Sequence, residues 1–115
     1  AALRAAGAEV EALAPGADGG VDLSAVLASL AERECNEVLL ECGPTLAGSA
    51  LGLGLVDELW LYLAPVLLGD RARPLARLGL DTMAERLRLE LRDVTPVGDD
   101  LRLLLTPPEA LLSRP

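Results

Sequence analysis

Lysine and histidine are both absent from this 115-residue chain, and all ten of its basic residues are arginine. Without histidine, the chain cannot form a Ser-His-Asp catalytic triad or a His-ligated zinc site. Without lysine, it cannot form a Schiff base or the phosphate-binding Walker loop. These absences exclude several common catalytic and binding chemistries from the residues of this chain.

Positive charge is also scarce, since ten arginines oppose 18 acidic residues and the net charge is −8. Nonspecific binding of nucleic acid requires a basic surface that displaces counterions, so nucleic acid is not an expected partner. The two cysteines, Cys35 and Cys42, lack the spacing of a disulfide scaffold or a metal site. We expect a cytoplasmic protein with reduced thiols and no metal in this part.

Long apolar runs are missing too. The longest, at 59–68, is shorter than the roughly 20 residues of a membrane-spanning helix, and Pro65 interrupts it. The chain shows no secretory signal pattern, so neither a membrane protein nor an exported one is expected. What the chain does have is 51% apolar residues, enough for the buried core of one ordinary domain.

Two helices stand out in the apolar pattern. The first begins after the N-cap Asp22, because apolar residues follow at helical spacing. These residues are Leu23, Val26, Leu27 and Leu30. The second begins at Pro44, whose fixed φ suits the first helical position, and ends at Gly54.

Short strands are predicted at 8–13, 37–41 and 57–64. The third is apolar on both faces, which is typical of a central strand in a sheet covered by helices. Alternation of strands and helices implies parallel neighbours joined by right-handed crossovers. Trp60 and Tyr62, in the third strand, are expected in the core or at a subunit interface.

The last third of the chain has a different pattern. Residues 69–80 carry three arginines and are predicted as a loop. Apolar and charged residues alternate at 87–92, a turn is predicted at 98–100, and 101–105 returns as a strand. The fold class is therefore α/β, with a mostly parallel sheet, flanking helices and an antiparallel C-terminal hairpin on the sheet edge.

The segment 41–49 runs from the end of a predicted strand into a helix N-terminus, where open α/β sheets place their ligands. Free N–H groups and the helix dipole favour a phosphate there, and Thr45 and Ser49 add hydroxyls. Gly48 and Gly52 each weaken a helix interior by about 1 kcal/mol, so a ligand or a neighbouring backbone should approach them closely. Ordinary helix capping and tight packing on the sheet are the alternatives.

Glu41 and the loop arginines have two interpretations each. Glu41 closes an apolar strand, where a carboxylate either accepts hydrogen bonds from a polar ligand or serves solubility alone. The arginines Arg71, Arg73 and Arg77 either meet an anion or belong to a solvated loop. Cys42 is interpreted as a small residue that permits the turn.

Four motifs together resemble the reductase domain of bacterial riboflavin-biosynthesis deaminase/reductases. They are Glu-Cys-Gly-Pro-Thr-Leu-Ala-Gly at 41–48, Gly-Leu-Val-Asp-Glu-Leu at 54–59, Tyr-Leu-Ala-Pro-Val-Leu-Leu-Gly at 62–69 and Val-Gly-Asp-Asp-Leu at 97–101. The resemblance implies a dihydrofolate-reductase-like fold. It also implies NADPH-dependent reduction of 5-amino-6-(5-phosphoribosylamino)uracil to the ribitylamino product.

The resemblance also assigns site residues. Glu41 matches the glutamate that contacts the phosphorylated pyrimidine substrate. The segment that lies along the NADPH phosphates is matched by seven residues in a row: Gly43, Pro44, Thr45, Leu46, Ala47, Gly48 and Ser49. Many members of the family have Gly or Ala where this chain has Cys42. No catalytic residue is assigned, and a homodimer is implied.

The chain lacks parts that the family has. Its first residue is not Met, and 1–6 predicts the tail of a helix closed by Gly7, so we expect a piece of a longer protein. By resemblance, 1–115 is the C-terminal part of one reductase domain, without its N-terminal half or the zinc deaminase domain. The isolated piece is then expected to be inactive.

Two other functions stay open at this point. One is a reductase that uses the same cofactor on a related pterin or pyrimidine. The other is a non-catalytic association module that pairs through the strand at 57–64 and the hairpin.

Overall fold

Residues 2–16 and 19–108 are described by the structure, a computed structural model. The chain divides into two compact units, Ala1–Leu39 and Leu40–Pro115. The first contains helices α1 and α2, and the second contains helix α3, strands β1, β2 and β3, and a short 3₁₀ helix. Their bounds are Ala2–Ala5 for α1, Leu23–Glu32 for α2, Pro44–Gly52 for α3, Leu59–Leu63 for β1, Met83–Glu85 for the 3₁₀ helix, Glu90–Val97 for β2 and Asp100–Thr106 for β3.

Helix α2 confirms the prediction from its apolar spacing and its cap. The Asp22 carboxylate accepts hydrogen bonds from the N–H groups of Ser24 and Ala25, at 2.9 and 3.2 Å. At the other end Glu34 has a φ of +62°, and the N–H of Cys35 donates to the carbonyl of Leu30 at 3.1 Å. This is a Schellman ending, a geometry that usually places glycine where Glu34 stands. Local chemistry therefore closes α2 at both ends.

The segment 8–13 forms no strand among the described residues, so the prediction of an extended element was wrong. Its charged side chains bond to α2 instead of a neighbouring strand. The Arg33 guanidinium contacts the carboxylates of Glu9 and Glu11, each at 2.8 Å, and the Ser29 hydroxyl donates to Glu11 at 2.7 Å. Proximity to Glu9, then to Glu11, raises the pKa of Arg33.

The sheet of the second unit has the order β1-β3-β2, and both pairings are antiparallel. The C-terminal hairpin is confirmed: Val97 pairs with Asp100 across a two-residue turn, in which Gly98 has a φ of +62°. Glycine at the first turn position matches the twist of antiparallel strands. Strand β2 begins at Glu90, later than the alternation predicts, because its partner β3 ends at Thr106, before two prolines.

Strand β1 corrects the prediction of a mostly parallel sheet with 57–64 at its centre. Among the described residues, β1 pairs only with β3, antiparallel, and lies at the sheet edge. Trp60 is 52% and Tyr62 57% exposed, so they are not core residues of this chain. A strand with two apolar faces can lie at the centre of a sheet, but its actual position depends on which partner strands the chain provides.

The predicted buried strand at 37–41 was also wrong. This stretch joins no ladder in the part of the chain that the structure describes, and Leu39 is 83% exposed. Apolar residues favour a strand only when another strand offers its backbone. In these residues β3 uses its two edges for β1 and β2.

Helix α3 begins at Pro44, and Gly54 terminates it, as predicted. Gly54 has a φ of +67°, and the N–H of Leu55 donates to the carbonyl of Ala50 at 3.0 Å, which completes a second Schellman ending. Gly48, Ala50 and Leu51 are its buried residues. The small core of this unit therefore includes the middle of α3.

Segment 69–80 has no helix or strand, as predicted, and its backbone packs on α3. The N–H of Arg77 donates to the carbonyl of Pro44 at 2.8 Å. A Cβ added to Gly48 would lie 2.6 Å from the carbonyl carbon of Arg77 and 2.9 Å from its nitrogen, and it would overlap the carbonyl oxygen. The close approach expected at Gly48 is therefore made by backbone. The one expected at Gly52 was wrong, because a Cβ added there meets nothing within 4 Å.

Replacing Glu34 with glycine should stabilise the protein. The left-handed conformation costs a residue with a side chain about 1–2 kcal/mol, and the greater freedom of glycine in the unfolded chain offsets part of that. We expect Glu34→Gly to raise the free energy of unfolding by about 0.5–1 kcal/mol, measured by urea titration. Glu32→Gly, at the last residue of α2, serves as control and should lower the free energy of unfolding, by less than the roughly 1 kcal/mol that glycine costs in a helix interior. A loss of stability in both variants would contradict the assignment of this helix ending.

Two glycines of α3 offer a second test. Gly48→Ala should lower the free energy of unfolding by about 1–3 kcal/mol, because the new methyl group overlaps a backbone that cannot move freely. The same change at Gly52 meets nothing within 4 Å and should raise it by up to about 1 kcal/mol through helix propensity. Chemical denaturation of both variants measures the difference, and equal stabilities would refute the close packing of Arg77.

Candidate functional site

The first turn of α3 is open to solvent and lacks a side-chain cap. Gly43 is the N-cap, Pro44 follows at the first helical position, and none of the side chains that the structure describes accepts a hydrogen bond from this turn. Gly43, Thr45 and Leu46 are exposed. The N–H groups of Thr45 and Leu46 therefore point from the positive end of the helix dipole without a side-chain acceptor.

The two longer helices differ in this respect. In α2 the Asp22 carboxylate already occupies the N-terminus and satisfies two N–H groups. In α3 glycine replaces such a residue, so the corresponding donors are available to an external acceptor. Donors in this arrangement, together with the dipole, suit a phosphate group.

Glu41 lies two residues before the N-cap and is exposed. Its carboxylate makes no hydrogen bond or ion pair with any residue that the structure describes. An exposed, unengaged carboxylate next to an anion-binding turn can accept hydrogen bonds from hydroxyl or N–H groups of a ligand. Solubility alone remains its other interpretation.

The predicted segment 43–49 divides into an exposed and a packed part. Gly43, Thr45 and Leu46 are exposed, whereas Ala47 and Ser49 are half-buried. Gly48 is buried beneath the backbone of Arg77. Ligand contacts are therefore available mainly at the first turn.

Sequence reasoning missed that segment 69–80 lies beside this turn. The hydrogen bond from the Arg77 N–H to Pro44 brings an arginine-bearing loop to the start of α3. The side chains of Arg71, Arg73 and Arg77 are exposed and form no ion pair within 2–16 and 19–108. Gly48 indicated this contact in the sequence, because glycine is unfavourable inside a helix. It did not identify Arg77 as the residue that makes the contact.

Another polar cluster, also missed, lies on one face of the sheet. The Arg102 guanidinium lies 4.9 Å from the centre of the Trp60 ring, donates to the Thr95 hydroxyl at 3.0 Å and contacts Asp93 at 3.5 Å. Hydrogen bonding by the Thr95 hydroxyl, and then by Arg102, lowers the pKa of Asp93. Strand register assembles this cluster, because Arg102 pairs with Thr95 on one side and Tyr62 on the other. Its groups bond to one another, which favours a structural role, although Arg102 Nε is buried without a hydrogen-bond partner among the described residues.

The same described residues offer neither a metal-binding cluster nor a membrane-spanning helix. No group of three or more His, Cys, Asp or Glu side chains in the described ranges could hold a metal ion. None of the helices described is both long enough and apolar enough to span a bilayer.

Comparison with known proteins gives consistent likenesses. The chain is 42% identical over 94 residues to the riboflavin biosynthesis protein RibD of Escherichia coli, covering 81% of this chain and 26% of that protein. It is 34% identical over 88 residues to the 5-amino-6-(5-phosphoribosylamino)uracil reductase of Buchnera aphidicola subsp. Acyrthosiphon pisum, covering 76% and 42%. The structure of Acinetobacter baumannii RibD (form 2) matches with a TM-score of 0.73 at 38% identity, covering 80% of this chain and 28% of that one.

The chain thus spans about a quarter of the length of the RibD protein of Escherichia coli. A family model, the RibD C-terminal domain, matches residues 3–103. That match covers most of the chain and includes α3, the whole of β1 and most of the hairpin. The family resemblance seen in the sequence motifs is confirmed, and the chain belongs to the RibD C-terminal domain family.

Proposed function

We propose that this chain is part of an NADPH-dependent reductase of riboflavin biosynthesis, which converts 5-amino-6-(5-phosphoribosylamino)uracil to its ribitylamino product. Family membership and the name of the Buchnera relative support this reaction. The observation that carries the proposal is the uncapped, exposed first turn of α3 with Glu41 just ahead of it.

Within the segment 43–49, the exposed first turn would hold the phosphates of NADPH. The N–H groups of Thr45 and Leu46 are donors at the positive end of the helix dipole, and the Thr45 hydroxyl adds a third donor. Gly43 lets a phosphate approach the backbone, since no side chain covers the turn. When bound, NADPH supplies the hydride for the reduction. These residues would bind and orient it.

Glu41 would contact the substrate. Its carboxylate is exposed and unengaged in the described residues, so it is free to accept hydrogen bonds from the ribosyl hydroxyls or the pyrimidine N–H groups. A hydrogen bond to a charged acceptor contributes more than a neutral one. Its role in this proposal is to orient the substrate beside the cofactor.

The chain would be the C-terminal part of one dihydrofolate-reductase-like domain in a cytoplasmic homodimer. Support for pairing comes from β1, whose second edge has no partner strand among the described residues. Trp60 and Tyr62 are exposed on this strand. An unpaired edge with large apolar side chains suits association with another strand.

The reaction itself is tested with the full-length protein. NADPH oxidation in the presence of 5-amino-6-(5-phosphoribosylamino)uracil should yield the ribitylamino product, identified by mass spectrometry. Turnover of a related pterin or pyrimidine instead would point to a different substrate. No measurable affinity for NADPH would favour an association module.

Closing the first turn of α3 should block the cofactor. Gly43 has extended backbone angles and open space for a Cβ, so Gly43→Asp should form a cap like that of Asp22. The new carboxylate occupies the donors and repels phosphate, and we expect the NADPH dissociation constant to rise by roughly tenfold or more. Fluorescence titration of the full-length protein measures this constant.

Gly52→Asp is the matched control, because it adds the same charge at the far end of α3. Its NADPH dissociation constant should stay within about twofold of the wild-type value, since the dipole effect is confined to the terminal turns. Equal weakening by both variants would mean that net charge, and not the first turn, governs binding.

Removing the charge of Glu41 should affect the substrate and spare the cofactor. Glu41→Gln in the full-length protein should lower kcat/KM for the pyrimidine by roughly 10- to 100-fold, the value of a charged hydrogen bond. The NADPH dissociation constant should change by less than about twofold. Steady-state kinetics measure kcat/KM. The control is Glu37→Gln, which changes another exposed acid four positions earlier in the chain. An unchanged kcat/KM would remove Glu41 from the site.

A further inference from the structure

We infer that Gly48 is a positioning residue: it seats the peptide of Arg77 on α3, and this joint orients the N–H group of Thr45 that faces the cofactor phosphate. We call the contact of Arg77 with Pro44 and Gly48 the backbone joint. Its functional half rests on the proposed NADPH site.

The joint has two contacts on one face of α3. The Arg77 N–H donates to the Pro44 carbonyl at 2.8 Å, and the Arg77 backbone lies directly over Gly48. Positions 44 and 48 are four residues apart, so they lie above one another on the helix. Only a residue without a Cβ fits there, because that atom would lie 2.6 Å from the carbonyl carbon of Arg77. The site at Gly52, one turn further on, has nothing within 4 Å.

The joint acts on the proposed anion-binding group through one peptide unit. The carbonyl of Pro44 and the N–H of Thr45 belong to the same planar amide, so fixing one fixes the direction of the other. A hydrogen bond accepted by the carbonyl also polarises the amide and strengthens its N–H as a donor. Arg77 therefore pre-orients the Thr45 donor by holding the carbonyl at the opposite edge of the same planar peptide unit.

The backbone joint also holds segment 69–80 against α3. Arg77 is exposed and forms no ion pair in the part of the chain that the structure describes, yet its backbone is anchored at two points. The Thr45 N–H is thereby held in place before NADPH arrives, so binding does not have to supply the entropy cost of ordering it. The expected consequence is tighter NADPH binding, with no direct part in the chemical step.

The test uses full-length protein and two readouts. In Gly48→Ala, amide hydrogen exchange of the peptide fragment that contains Arg77 should accelerate roughly fivefold to tenfold, because the hydrogen bond to Pro44 is lost. The NADPH dissociation constant should rise by a similar factor, while kcat at saturating NADPH stays within about twofold. Gly52→Ala, on the same helix, should change neither quantity.

A second variant keeps the test decisive if Gly48→Ala does not fold. Arg77→Ala removes the guanidinium and leaves the peptide unit in place, so exchange at position 77 should remain as slow as in the wild type. Rapid exchange in Arg77→Ala, or in the wild-type protein itself, would overturn the backbone joint. Accelerated exchange in Gly48→Ala with unchanged NADPH affinity would overturn the positioning role.

Failure of the proposed function gives a different result. If wild-type protein binds no NADPH, the cofactor site and the positioning role fall together. The exchange rates of the three proteins then still decide whether the joint exists, since they need no ligand.

Discussion

The contact between the backbone of Arg77 and helix α3 is the constraint on which the arrangement of the candidate site depends. The peptide of Arg77, in a segment without helix or strand, bonds to Pro44 and packs on Gly48. This close approach leaves no room for a side chain at position 48. Glycine weakens a helix by about 1 kcal/mol, so α3 is less stable by itself than an alanine-rich helix would be. In return, a loop of 12 residues at 69–80 is fixed beside the first turn without a strand or a disulfide.

The two helix N-termini show how one chain separates structure from binding. Asp22 closes α2 with its own carboxylate, and that end needs no other partner. Gly43 and Pro44 shape the start of α3 but supply no acceptor, so its donors remain available. In a chain with net charge −8, the free donors of this turn, with Arg77 bonded to it through its backbone, form a local region that can attract an anion.

The start of α3 was more predictable than the sheet around it. Segment 43–49 followed from helix-start chemistry and from resemblance, and the structure leaves its first turn open. The residue that packs on Gly48 could not be predicted, because a glycine indicates a close approach but does not identify the approaching residue. The cluster at Arg102 was equally out of reach, because it exists only when the register sets Arg102 between Thr95 and Tyr62.

By itself, the sequence determined the features that depend on residues a few positions apart. The ends of α2 and α3 and the turn at Gly98 follow from short-range hydrogen bonds and from φ preferences, which travel with the residues themselves. Tertiary structure decided the rest: the edge position of β1, its antiparallel partner, and the absence of a ladder at 37–41. An apolar strand can pair in either direction, and the choice depends on which distant backbone is free to receive it.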